Sequence, residues 1–361
     1  MSQRSDARVV KGQPDVHISE VEFRRRLRER FDDPAFAAVE RELDAIVAVA
    51  HDGYEHTRKS PRTRKAGPGY ADPDYDLSLD WLAAKRDIEA AADVHTDPEG
   101  PPRVLLISGS PRHDQTCPGE LPKSYRLVEL AREELRASGF EIDVLDLGRL
   151  TAEYGRSIHP CKGCVSTSMP LCHWPCSCYP NHALGQVQDW MNEIYPRWVT
   201  AHGVMIVTPV HWLSVPSVLK LMIDRLVCAD GGNTDPTRTG GKDPAKAKAI
   251  ELDGWDYPKH LAGRAFSVIV HGDAEGVDAV KDALCTWLTT LGLVQAGPQS
   301  VVARYLGYLQ PYATGHAELD RDAALQQEVR NAAASLGAAV QAIRRGEPPS
   351  PMPLRPDPRP K

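Results

Sequence analysis

The chain has 361 residues, of which 42% are hydrophobic and 25% are charged, and its formal net charge is −6. This composition is typical of a globular protein, and the acidic balance disfavours nucleic acid as a partner. No apolar run approaches the roughly 20 residues that span a membrane, so we expect no membrane partner. Residues 1–15 are polar and lack the apolar core of a secretion signal, which predicts a cytoplasmic location.

Residues 1–100 are predicted to form a helical N-terminal extension. Ser19 and Glu22 form a capping-box pattern at the start of its first helix, and its last helix is expected at about 78–94. Between them, residues 58–65 hold five cations in eight positions. Such a run contacts a nucleotide phosphate, an acidic lipid or nucleic acid in some proteins, but a solvated face is the commoner outcome.

Residues 101–345 alternate apolar strands with helices, which predicts an α/β domain with a doubly wound parallel sheet. Five strands fit the order 2-1-3-4-5, in which a ligand lies beyond the carboxyl ends of the strands. The strands are expected at about 103–108, 141–146, 203–208, 265–271 and 299–305. The proline-rich tail, residues 346–361, is predicted to be disordered.

The strand Val104–Ile107 ends in a turn of small hydroxyl residues and one arginine, and a helix is expected to begin near Lys123. Serine hydroxyls, an arginine and the N–H groups at a helix start together suit a phosphate. The alternative is a polar turn with a solvated arginine. The candidate phosphate ligands are Ser108, Ser110 and Arg112, with Thr116 and Ser124 as further candidates.

Two more loops follow predicted strands of the same sheet. Residues 208–214 place Trp212 before a helix, where a planar ring has apolar surface to lie against. Residues 271–276 contain two glycines, which allow the backbone to approach a ligand closely. Each loop alone is equally well explained as a connecting turn, but together they bracket one site suited to a mononucleotide with a flat ring.

These motifs, with Leu219-Lys220 and Asp224-Arg225 in the following helix, resemble the NADPH-dependent FMN reductase and iron–sulfur flavoprotein group of the flavodoxin-like fold, over about residues 103–310. The resemblance implies that Ser108, Ser110 and Arg112 hold the FMN phosphate, with Pro111 in the same loop and Thr116, Ser124 or Tyr125 as the remaining ligand. It places Pro209, Val210, His211, Trp212, Leu213 and Ser214 beside the flavin ring and His271, Gly272, Asp273 and Gly276 near its other edge. For Asp224 and Arg225, an ion pair on the helix surface or an oligomer contact competes with ring contact.

Five of the eight cysteines are clustered in one segment with the spacing C-x2-C-x7-C-x3-C-x-C. They are Cys161, Cys164, Cys172, Cys176 and Cys178. Thiolates at such spacing hold an iron–sulfur cluster or tetrahedral zinc, and metal-free thiols are the third alternative. The resemblance adds that iron–sulfur flavoproteins carry their cluster cysteines at this place in the chain.

The function we predict is FMN-dependent transfer of electrons from NAD(P)H to a small acceptor such as a quinone. No catalytic triad is evident, and His211 and His271 are only candidates for tuning the ring or supplying a proton. The alternatives are an electron-transfer or redox-sensing protein serving a partner protein, and a structural metal-binding protein that has lost flavin. The long segment 229–263 is interpreted as a lid or as an oligomer arm, and the resemblance implies a homodimer or homotetramer.

Overall fold

A computed structural model describes residues 17–116 and 119–359 of the chain. The predicted polar N-terminus at residues 1–15 therefore lies outside the described residues. The structure divides into two compact units, one formed by residues 17–61 with 181–185 and the other by the remaining described residues. None of the helices in the described ranges has the length and apolar character that crossing a membrane requires.

The smaller unit contains helices α1 (Glu20–Arg28) and α2 (Glu40–Glu55). The predicted cap is confirmed, because the Ser19 hydroxyl accepts a hydrogen bond from the backbone N–H of Glu22 at 3.2 Å. Two short 3₁₀ turns, Glu29–Phe31 and Pro34–Val39, connect the helices. The short segment His182–Leu184 packs against α2.

The larger unit begins with an antiparallel pair, β1 (Thr63–Lys65) and β2 (Asp76–Ser78). Helix α3 (Leu79–Thr96) follows. The predicted domain boundary at residue 100 differs from the division of the structure at residue 61. The physical reason is that α3 belongs to the larger unit, where the indole of Trp81 donates to the carbonyl of Pro175 at 2.9 Å.

The main sheet is parallel and has the strand order β4-β3-β5-β6, with β7 and β8 both pairing with β6. Its strands are β3 (Arg103–Ser108), β4 (Glu141–Asp146), β5 (Gly203–Pro209), β6 (Ala265–Gly272), β7 (Val294–Gln295) and β8 (Val301–Tyr305). The predicted α/β fold class is confirmed. The sheet has six strands instead of the predicted five, because the two-residue β7 adds a short pairing beside β8.

Helices cover both faces of this sheet. The helices that follow β3 in the chain are α4 (Lys123–Ala137), α5 (Arg149–Ala152), α6 (Met191–Thr200), α7 (Ser217–Gly231), α8 (Pro244–Leu252), α9 (Val277–Thr290), α10 (Tyr312–Arg321) and α11 (Ala323–Arg344). Alternate residues of β3 enter different cores: Leu105 and Ile107 pack with α6, α7 and α9, whereas Val104 and Leu106 pack with α4 and α11. This alternation is the two-sided burial that a continuous apolar strand predicts.

The C-terminal tail does not fit the prediction of disorder. Residues 347–359 contain no helix or strand, yet they make specific contacts with the larger unit. The backbone carbonyl of Arg355 accepts from Gln299 at 2.7 Å, and the Arg359 guanidinium donates to Asp322 at 2.5 Å. Two arginines of the tail have partners in the larger unit, because Arg355 pairs with Glu134 and Arg359 pairs with Asp322.

Candidate functional site

The three predicted loops lie at one edge of the sheet. Strands β3, β5 and β6 are adjacent and parallel, with Ser108 opposite Val207 and Pro209 opposite His271. Their carboxyl ends therefore come together, as they do around ligands of doubly wound folds. The backbone N–H of Val210 also donates to the carbonyl of His271 at 2.9 Å, which fixes the second loop against the third.

The first loop turns where there is no room for a side chain. A Cβ atom at Gly109 would lie 2.8 Å from the hydroxyl oxygen of Thr208 and 2.9 Å from a methyl carbon of Leu219. The loop after β3 is thus pressed against the end of β5 and the first residues of α7. Only glycine permits this approach without displacement of the neighbours.

Hydroxyl groups shape the rest of the first loop. Ser110 is 2% exposed, and its Oγ accepts from the backbone N–H of Arg112 at 3.1 Å. The Oγ1 of Thr116 accepts from the backbone N–H of His113 at 3.0 Å. Ser108 is fully buried next to Asp146, a carboxyl whose pKa is raised by burial. Pro111 is half-buried and continues the turn. Whether these residues contact a phosphate remains a prediction.

Two cations converge where α4 begins. Lys123, the first residue of α4, is 4% exposed, and burial lowers its pKa while the carboxylates of Asp273 and Glu120 oppose that effect. Arg112 lies close enough to lower the pKa of Lys123 further. Cations beside the N–H groups of a helix start are an environment for an anion. Lys123 was not among the predicted site residues, although its place at the start of a helix was a signal in the sequence.

His271 is buried in this site and uncharged. Burial is the main reason that its pKa is lowered to about 3, and the charges of Lys123 and His211 add to the effect. Its Nε2 lies 2.8 Å from the hydroxyl of Ser124 in the first turn of α4. Burial lowers the pKa of His211 also, with Asp273 opposing. Both rings are therefore neutral near pH 7, and a role of either in proton transfer remains a prediction.

The second loop contains a strained turn. His211 and Ser214 exchange two backbone hydrogen bonds of 2.9 and 3.0 Å, and Trp212 and Leu213 between them have φ values of +48° and +61°. For residues other than glycine this left-handed conformation costs roughly 1–2 kcal/mol each. Trp212 is 98% exposed, so burial of its indole does not offset that cost within the described structure. Strain that presents an exposed aromatic ring is a frequent feature of functional sites.

The third loop packs against the strained turn. Gly276 has a φ of +105°, and a Cβ atom there would lie 3.0 Å from the Cα of Leu213. A Cβ atom at Gly272 would lie 3.4 Å from a methyl carbon of Val210. The carbonyl of Asp273 accepts from the backbone N–H of Leu309 at 2.6 Å, which brings the chain after β8 to the rim. No local sequence pattern points to Leu309, because this contact joins distant segments.

The cysteine segment, residues 160–179, brings the thiol of Cys164 close to three other thiols. The Sγ atoms of Cys164 and Cys178 are 3.8 Å apart, and the Cys164 thiol also interacts with those of Cys161 and Cys176. The pKa of Cys164 is lowered to about 7, chiefly by its contact with Cys178. Cys172 is buried, and its carbonyl accepts from the backbone N–H of Asn233 at 2.6 Å.

A donor set of four thiols suits zinc or an iron–sulfur cluster, because both take thiolate ligands. Tetrahedral zinc with bonds of about 2.3 Å would separate its sulfur ligands by about 3.8 Å. Among the described residues, however, no three His, Cys, Asp or Glu side chains already form a group placed to hold a metal. A metal role for the cysteines therefore remains a prediction.

The long segment 229–263 lies beside the cysteine segment. The side chain of Asn233 donates to the carbonyl of Pro170 at 3.1 Å, and Glu251 of α8 accepts from Ser168 at 3.2 Å. The ring of His260 stacks on Trp174 with centroids 5.5 Å apart. These contacts support the cysteine segment. Neither the lid nor the oligomer arm is tested by them.

Arg225 corrects the interpretation of the helix motif. Lys220 and Asp224 form an exposed ion pair on α7, as expected of a helix surface. Arg225, in contrast, is 1% exposed and forms a buried pair with Asp189. The two consecutive positions face opposite environments because successive helix residues differ by 100° in direction. Asp189, which the sequence analysis did not single out, carries no local signal for this role.

Comparison with known proteins gives one family. The family model described as NADPH-dependent FMN reductase matches residues 102–306. A curated relative, the iron–sulfur flavoprotein of Methanosarcina thermophila, is 29% identical over 125 residues, which are 35% of this chain. The chain spans about half, 52%, of the length of that relative.

Two solved structures of flavoproteins align with about two thirds of this chain. RosB with bound 8-demethyl-8-formylriboflavin 5′-phosphate is 13% identical, with a TM-score of 0.47, over 69% of this chain and 83% of RosB. The NADH:FMN oxidoreductase EmoB in its apo form is 15% identical, with a TM-score of 0.36, over 69% of this chain and 91% of EmoB.

Proposed function

The chain belongs to the NADPH-dependent FMN reductase family, a family of flavin-dependent oxidoreductases, and from that premise we propose that it passes electrons from NAD(P)H through bound FMN to a small acceptor such as a quinone. The observation that carries the proposal is the convergence of three loops and two cations at one sheet edge. Arg112 and Lys123 lie there beside the start of α4, and Trp212 is presented at the same rim.

The residues present suit FMN. The loop after β3 offers a buried serine hydroxyl, an arginine and a helix start, which is the donor set that a phosphate requires. The glycine at position 276 and the turn at Trp212 leave backbone and an aromatic ring for a planar group. When bound, the flavin supplies the two-electron chemistry that side chains lack.

The protein's own residues bind the anionic end of the cofactor, orient the acceptor and set the charge of the site. Arg112 and Lys123 hold the anionic end, and Trp212 gives the acceptor an apolar surface. A neutral His271 keeps additional positive charge away from the buried site, while its contact with Ser124 fixes α4 against β6. The exposed rim at Trp212 would admit NAD(P)H and the acceptor in turn.

The experiment is a visible absorption spectrum of the protein purified without oxygen, followed by NAD(P)H oxidation with a quinone. Two resolved flavin bands and quinone-dependent oxidation of the nicotinamide are expected. A colourless protein that takes up no added FMN contradicts the proposal. Size-exclusion chromatography with light scattering tests the homodimer or homotetramer that the family resemblance predicts.

A second candidate is an electron-transfer or redox-sensing protein that serves a partner protein. It is favoured by the four interacting thiols Cys161, Cys164, Cys176 and Cys178, which we propose as the ligand set for an iron–sulfur cluster, with zinc as the alternative. A broad brownish absorption shoulder and iron in the purified protein support the cluster. Reduction of the flavin only by a protein donor, and not by NAD(P)H, favours this candidate over the reductase.

A further inference from the structure

We propose that Arg225 is a positioning residue for the cysteine segment, residues 160–179: its guanidinium fastens both ends of this segment and so keeps the thiols of Cys164 and Cys178 close together before any metal binds. The benefit of this arrangement for a metal cofactor rests on the proposed function. The positioning itself is a property of the protein chain and is measurable without metal or flavin.

The two ends of the cysteine segment meet at Arg225. Its Nη1 donates to the carbonyl of His159 at 2.9 Å, immediately before the segment, and its guanidinium lies over the ring of Tyr179 at 4.8 Å, at the segment's last residue. The Tyr179 hydroxyl donates to the carbonyl of Pro160 at 2.8 Å. The segment is therefore a closed loop whose neck is formed by an arginine, a tyrosine and two carbonyl groups.

Asp189 fixes the direction of the guanidinium. Its two carboxylate oxygens accept from Nη1 and Nη2 of Arg225 at 3.1 and 2.5 Å. The side chains are 1% and 0% exposed, so water does not compete for these bonds. The planar guanidinium forms two parallel hydrogen bonds to the carboxylate, and this pair of bonds allows one orientation. The ammonium group of a lysine cannot form such a pair. This pairing aims the remaining donor of Nη1 at the neck of the loop.

Arg225 affects the thiols through the contacts that its guanidinium makes at the neck and through its charge. Closing the loop at its neck reduces the conformational freedom that separates Cys164 from Cys178 along the chain, and these sulfur atoms lie 3.8 Å apart. The guanidinium charge also interacts with the thiol of Cys176.

Arg225 lies on helix α7, which fixes the position of its guanidinium relative to the cysteine segment. Helix α7 begins at Ser217, directly after the strained turn at Trp212, and its exposed pair Lys220–Asp224 lies on another face. The cysteine segment is thus fastened to the same helix that follows the ring loop. Arg225 therefore links α7, which follows the ring loop, to the cysteine segment in the interior. Its neighbour Asp224 pairs with Lys220 at the surface.

The test measures how readily Cys164 and Cys178 form a disulfide in the full-length, reduced, metal-free protein. Diamide is the probe: it takes two electrons and two protons from the two thiols and becomes a hydrazine, while one S–S bond forms. The product is quantified by peptide mass spectrometry without reduction. The variants are Arg225→Gln, Arg225→Lys, and the double variant Arg225→Met with Asp189→Leu, which removes both buried charges together so that no unpaired charge remains.

We expect all three variants to form the disulfide about tenfold more slowly than the wild type, or slower still, since the effective concentration of one thiol at the other falls when the neck opens. Tyr179→Phe removes only the hydroxyl and is expected to slow the reaction without lowering the melting temperature greatly. The matched control is Asp224→Asn on the exposed face of α7, which should react at the wild-type rate.

Two results would overturn the proposal. One is a double variant that is folded by circular dichroism and reacts at the wild-type rate. The other is a wild-type protein that reacts no faster than it does in urea. Neither result depends on flavin, because FMN content is measured separately on each protein. A protein without FMN in which Arg225→Gln still slows the reaction contradicts the proposed function alone.

Discussion

The hydroxyl of Ser124 and the Nε2 of His271 lie 2.8 Å apart in the interior, and they join the first turn of α4 to the end of β6. Both residues were predicted as contacts of a cofactor, from loops that are 147 positions apart in the chain. Their direct contact means that the phosphate loop and the third loop form one structure. A disturbance of either loop will therefore reach the other.

Ser124→Ala is expected to lower the free energy of unfolding by about 1–3 kcal/mol, since it leaves a buried ring nitrogen of His271 without this partner. Urea denaturation monitored by circular dichroism measures the loss. The control is Ser138→Ala at the exposed end of α4, which should change stability little. An unchanged stability of Ser124→Ala contradicts the assigned contact.

Arg112→Ala is expected to weaken FMN binding roughly 10- to 100-fold, because a charge-assisted hydrogen bond contributes about 1.5–3 kcal/mol. Fluorescence titration of flavin into the apoprotein gives the dissociation constant. Arg86→Ala removes an exposed arginine of α3 and is the matched control. If both variants bind FMN equally well, Arg112 does not belong to the site.

Trp212→Ala is expected to leave stability almost unchanged, because the indole is 98% exposed. Reduction of planar acceptors should lose efficiency several-fold through a higher KM, while Trp212→Phe retains an aromatic surface and most of the activity. Steady-state kinetics with a quinone and with ferricyanide separate the two effects, since ferricyanide has no planar ring to stack. An equal loss with both acceptors would argue against a stacking role.

His202 predicts a dependence of stability on pH. It is 7% exposed and its Nδ1 accepts from the backbone N–H of Arg103 at 3.0 Å, which requires the neutral ring. Burial, then the charges of His95 and Arg344, lower its pKa to about 4 from an ordinary value of 6.5. The unfolded chain therefore binds a proton more readily than the folded one between these values, so stability falls as pH decreases through this window.

The expected loss between pH 7 and pH 4 is about 3 kcal/mol for this group. It appears as a difference in pH slope between the wild type and His202→Gln, each measured by urea denaturation at several pH values. His271 contributes a slope of the same sign to both proteins, and the comparison cancels it. Parallel slopes for the two proteins would show that His202 titrates normally.

Much of the architecture was accessible from local sequence patterns. The continuous apolar run at Val104–Ile107 predicted a strand buried on both faces, and the Ser19–Glu22 pattern predicted a helix start. The alternation of strands and helices predicted the α/β fold, because apolar periodicity and helix capping act within a few residues of each other. Topological rules then brought the three loops to one edge of the sheet.

Tertiary structure alone decided how polar and sulfur groups combine. Spacing alone did not show which cysteine side chains meet, whereas packing places the Sγ atoms of Cys164 and Cys178 3.8 Å apart. The sequence left a surface ion pair, an oligomer contact and ring contact open for Arg225, whereas folding buried it against Asp189, 36 positions away. Pairings of this kind depend on which distant groups share one low-dielectric space, and their energies arise only when both partners have lost their water. No local pattern encodes that shared desolvation, so it becomes visible only in the folded chain.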